Sequence, residues 1–144
     1  MSANRYTQKS TEVLQRAGAL AGEYANQTLE EAHLLASLLE DDSALIPLLL
    51  TRMGKAPQEL RQSAVDEVER LPRVKGSVRE EGKTYVSQEM DRTLREAAKA
   101  ADQMKDEYIS VEHLFLGLLH APDRAVSALF SRFQVREADF LKAL

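Results

Sequence analysis

Residues 32–40 read AHLLASLLE and residues 112–120 read EHLFLGLLH. The two stretches lie 80 positions apart, and at that offset His33 falls on His113, Leu34 on Leu114, Leu38 on Leu118 and Leu39 on Leu119. The register extends both ways without a gap: Leu14 meets Leu94, Ala17 meets Ala97, Ala21 meets Ala101, Leu49 meets Leu129 and Arg52 meets Arg132. From Thr7 to Ala64 this gives ten identities over 58 positions. Matches between leucines are weak evidence alone. The unbroken offset and the agreement in apolar phase carry more weight, and they point to one structural unit used twice.

Within each unit the apolar spacing is helical. Val13, Leu14, Ala17, Leu20, Ala21 and Tyr24 form one stripe of an amphipathic helix. Thr7 is placed to cap it, and Ser87 to cap its counterpart, with Glu89 and Asp91 near the positive end of the helix dipole. A second helix is expected over about 30–40 and 111–120, with Thr28 and Glu31 at capping-box spacing in the first copy and Ser110 as the cap in the second. A third helix should end at Gly54, a residue that tolerates a left-handed terminus, and Pro57 can open a fourth. In the second copy the third helix follows Pro122-Asp123 and the fourth starts near Arg136. No segment reads as a strand. The expected fold is therefore all-α: two tandem four-helix repeats packed into one pseudo-two-fold globular domain. It would span 1–144, with repeat one at 7–71, a linker at 72–86 and repeat two at 87–144.

Composition limits the function. Of 144 residues, 44% are hydrophobic and 29% charged, ordinary for a soluble globular protein. The net charge of −4 argues against a nucleic-acid partner, which would want a basic stripe. No run reaches the roughly 18 apolar residues of a membrane span, and the amino terminus lacks a secretory apolar core, so a cytoplasmic location is expected. With no cysteine, the chain has neither disulfides nor thiolate chemistry. Gly82-Lys83-Thr84 imitates the end of a phosphate-binding loop, but five residues rather than four separate Gly76 from Gly82, and two of them are Glu80 and Glu81. The stretch reads as a polar tether, and no cofactor is expected. Glu112, His113 and His120 are the best available metal cluster, but no set of ligands completes a tetrahedral site, and core histidines are the plainer reading. No Ser-His-Asp set stands out, so catalysis is not expected.

The segments YTQKSTEVLQRA, AHLLASLLE, RLPRVKG, YVSQEMDRTL and KDEYISVEHLFLGLL resemble the amino-terminal domain of Clp-type AAA+ chaperones, and among them the ClpB-type disaggregase. The resemblance covers nearly the whole chain. It implies a non-catalytic module that contacts unfolded or aggregated polypeptide through a shallow groove between or beside the repeats, and passes it to hexameric ATPase rings that bind the ATP. Docking of a folded adaptor or co-chaperone is the alternative it leaves open. Carried onto this chain, the implied client-contacting residues are Thr7, Asp106 and Glu112. The first-copy partner of Glu112 is Ala32, which counts against recognition of phosphorylated arginine by both halves. Each site residue also has a local explanation. Thr7 caps a helix whether or not a client binds, and the two carboxylates sit where a helix dipole favours them.

Overall fold

The computed structural model describes residues 5–74 and 85–144. Among these described residues eight helices form: α1 (Gln8–Glu23), α2 (Glu31–Leu38), α3 (Leu45–Arg52), α4 (Pro57–Arg70), α5 (Gln88–Gln103), α6 (Val111–His120), α7 (Arg124–Phe133) and α8 (Glu137–Ala143). Thr7 caps α1 by accepting from the Ser10 amide at 3.1 Å, and Ser87 caps α5 by accepting from the Met90 amide at 3.0 Å. The matching extends to left-handed turns. Ala25 and Lys105, 80 apart, have φ of 55° and 60°, and Gly54 and Gln134, also 80 apart, have 79° and 55°. At the last pair only the first copy uses glycine; Gln134 adopts the same turn at a steric cost.

Two expectations are corrected. The chain does contain strand pairing, in pieces too short to show a period: β1 (Thr28–Leu29) and β2 (Tyr85–Val86) run parallel, and Tyr6 bridges Ile109. The capping box is also not Thr28 with Glu31. The cap is Glu30, whose amide donates to His33 Nδ1 at 2.9 Å, while Thr28 donates its hydroxyl to the Glu30 carboxylate. Ser110 and His113 repeat the arrangement, again at 2.9 Å. Gly76 and Gly82-Lys83-Thr84 lie outside the described residues.

The strand pairs join the copies reciprocally. Leu29 of repeat one lies beside Val86, just ahead of repeat two, and Tyr6, just ahead of repeat one, lies beside Ile109 of repeat two; adding 80 to Leu29 and subtracting 80 from Val86 gives the second pair. The Ser87 amide donates to the Leu29 carbonyl at 3.2 Å, and the Thr7 amide to the Ile109 carbonyl at 3.0 Å. Side chains follow the same rule. Arg52 donates to the Ala143 carbonyl at 3.1 Å, and Arg132 to the Ser63 hydroxyl at 2.8 Å. Accordingly α3 packs on α8 and α4 on α7, each repeat supplying one member of each pair.

α2 and α6 form the centre. Every residue of α2 is buried, as are His113 to Leu118 of α6. Phe115 packs against Phe130 and Phe140 with ring centroids 5.6 and 4.8 Å apart. Among the described residues no helix is long and apolar enough to cross a membrane.

α5 and α6 approach so closely at Gly117 that an added Cβ would meet the Thr93 carbonyl at 2.5 Å, whereas one added at Gly18 in α1 would meet nothing within 4 Å. Gly117→Ala should therefore destabilise the fold by about 1–3 kcal/mol through overpacking. Gly18→Ala should stabilise it by about 0.5–1 kcal/mol through helix propensity. Urea midpoints of the two variants, read against the parent, check both signs.

Candidate functional site

A groove of about 460 Å3 opens where the first turns of α1, α3 and α6 meet. It exists because the reciprocal pairing carries the start of repeat two's α6 up to the start of repeat one's α1. Thr7, on one side, and Ser110, Val111 and Glu112, on the other, face the same space. Between them Val13, Leu38 and Ile46 are buried as a floor, and Leu45 stands 40% exposed. Leu48, one turn on along the outer face of α3, is 55% exposed and continues that apolar surface.

Charge surrounds this floor. Glu12, Asp41 and Glu112 stand against Lys9 and Arg16, and Arg16 is already held by Glu40 at 3.2 Å. The Ser43 hydroxyl and amide both donate to Asp41 and hold its carboxyl below the usual carboxylate range, with the Arg16 and Lys9 charges adding to the effect. Among the described residues no histidine or cysteine lines the groove; it offers surface for binding, with hydroxyl and carboxylate groups for hydrogen bonding.

The structure therefore brings Thr7 and Glu112 to one groove, but not Asp106. His113 is buried, and because its Nδ1 accepts the Ser110 amide, its Nε2 carries the proton and donates to Asp106 Oδ2 at 2.8 Å. In the first copy Asn26, 80 residues before Asp106, meets His33 Nε2 at 2.9 Å in the same way. The residues singled out for metal binding are likewise apart: His113 is spent on this bond, and His120 sits 3.0 Å from Glu137 and 3.7 Å from Glu96. Among the described residues, no group of three His, Cys, Asp or Glu could hold a metal ion.

Sequence reasoning gave Glu31 only a capping role and did not foresee its burial. Glu31 is wholly buried, with Oε1 accepting the Asp123 amide at 3.0 Å and Oε2 making no hydrogen bond. Its partner at the repeat offset is Val111, so a charged residue standing at an apolar register position was the available signal. Burial first, and the Asp123 carboxyl second, push its pKa from an ordinary 4.5 to about 8. Between about pH 4.5 and 8 the folded protein thus holds a proton that the unfolded chain has released. Stability from this group is complete below that window and is lost as pH rises through it. Glu31→Gln should flatten that fall and stabilise the protein at pH 8 by about 1–3 kcal/mol. Urea unfolding across a pH series tests this; parallel curves for parent and variant would contradict it.

Comparison with known proteins gives a consistent picture. The model of the Clp repeat (R) N-terminal domain matches residues 5–133. The chaperone protein ClpB of Nitratidesulfovibrio vulgaris is 33% identical over 132 residues, covering 92% of this chain and 15% of that protein. ClpB of Bacillus anthracis is 32% identical over 144 residues, covering 100% of this chain and 16% of that protein. The chain thus spans under a fifth of the length of these curated relatives. Among solved structures, the Hsp104 N-terminal domain from Candida albicans superimposes with a TM-score of 0.80 at 20% identity, covering 96% of this chain and 87% of that one. The ClpV N-domain in complex with a VipB peptide gives 0.72 at 17% identity, covering 90% and 79%.

Proposed function

This chain belongs to the Clp repeat N-terminal domain family, and from that premise we propose that it is a non-catalytic recognition module for unfolded or aggregated polypeptide. The observation that carries the reading is the groove in which Thr7 and Glu112, contributed by different repeats, flank the exposed Leu45. An extended client lays apolar side chains on Leu45 and Val111, while Thr7 and Glu112 meet its backbone and its basic residues. Asp106, 47% exposed but bonded to His113, acts at the margin. The module works in the cytoplasm without a cofactor of its own; ATP is used in ATPase modules elsewhere in a hexameric parent. Several copies on one ring raise the effective concentration of weak sites, so no single groove needs to bind tightly.

A second reading is docking of a folded partner or adaptor; the ClpV N-domain solved with a VipB peptide shows a domain of this fold holding a segment of one particular protein, which fits either reading. NMR titration separates the two. With an unfolded polypeptide, resonances of Thr7, Leu45, Val111 and Glu112 should shift together. Leu45→Asp should weaken binding about tenfold, the scale of burying one leucine side chain, with little change in stability. Unmoved resonances at high client concentration would refute the client reading, and saturable binding of one folded partner alone would establish the other.

A further inference from the structure

The reciprocal pairing that makes one groove must make a second. Adding or subtracting 80 carries Ser110, Lys9, Glu12, Ala44 and Leu45 of the first groove onto Glu30, Glu89, Arg92, Arg124 and Ala125. Those five residues do line one hollow, of about 470 Å3, on the related face. Its chemistry is different. Lys9 and Glu12 are replaced by the opposite charges, Glu89 and Arg92, and exposed Leu45 by Ala125. The counterparts of Val13 and Val111 are Thr93 and Glu31, both fully buried and absent from its lining.

We infer that Glu31 confines client capture to one groove: Val111 supplies an apolar wall to the first, while its counterpart Glu31 withdraws from the second toward the Asp123 amide and leaves that wall missing. This rests on the client-binding reading above. The Glu31 side chain turns inward to the Asp123 amide instead of facing the hollow, and its second oxygen lies buried without a hydrogen bond. The hollow is left to charged side chains, Glu30, Glu89, Arg92, Asp123 and Arg124. Such a hollow, with only Pro122 and Ala125 as its apolar lining, presents little to an apolar side chain.

The test is NMR titration of the whole chain with a short unstructured peptide of leucines and lysines. The parent should bind one peptide, with shifts at Leu45 and Val111 and none at Ala125. Glu31→Val should bind two, the new shifts falling on Ala125 and Arg92, and Glu31→Gln, which keeps the polar group, should bind one. Glu31→Ala, which removes the carboxyl without adding branched methyl groups, is read in the same way if the valine variant does not fold. Shifts in both grooves of the parent, or a single site in both Glu31→Val and Glu31→Ala, would overturn the inference. If the peptide leaves the first groove of the parent untouched, the client reading fails separately. The inference is then judged by 1-anilinonaphthalene-8-sulfonate fluorescence: greater for Glu31→Val than for Glu31→Gln upholds it, and equal values overturn it.

Discussion

Each repeat completes its backbone hydrogen bonding in the other. The Thr7 amide, ahead of the first turn of α1, finds the carbonyl of Ile109, and the Ser87 amide finds that of Leu29. A buried amide without an acceptor costs about 1–3 kcal/mol, so these bonds tie the entry to each long helix to the opposite copy. Arg52 and Arg132 do the same at the other end, where α3 packs on α8 and α7 on α4. The molecule is thus two sequence repeats but one packing unit.

That reciprocity also generates the candidate site. It sets the hydroxyl of Thr7 across from Glu112, with Val13, Leu38 and Ile46 as floor. A perfectly symmetric molecule would have two such grooves. Here the register positions diverge at the few residues that matter: Val111 against Glu31, Val13 against Thr93, and Leu45 against Ala125. The cores below remain alike, since Leu38 and Leu118, and Ile46 and Val126, are all buried. Divergence in wall residues over a shared core lets one fold carry two surfaces of different chemistry.

Much of the helical architecture was legible because amphipathic stripes and caps are local signals. Gly54 and Pro57 marked the α3–α4 turn correctly, and Asp123 marked the start of α7. The parallel pairs were not legible, since two-residue strands have no periodicity and their partners are distant in the chain. The capping box at Thr28 and Glu31 was misread because a histidine ring, rather than a glutamate, takes the amide of the cap residue. Of the candidate site, Thr7 and Glu112 share the groove, whereas Asp106 turns to His113, a bond that helix spacing alone does not specify. Arg52 and Arg132 stood out only as an identity at the repeat offset, and the structure gives that identity its reason.

Native-state hydrogen exchange of the Thr7 and Ser87 amides tests the central claim most directly. If each repeat depends on the other, both amides exchange only through global unfolding, with the same denaturant dependence as the buried amides of α2 and α6. Exchange of either amide at markedly lower free energy, with one repeat opening while the other stays protected, would contradict it.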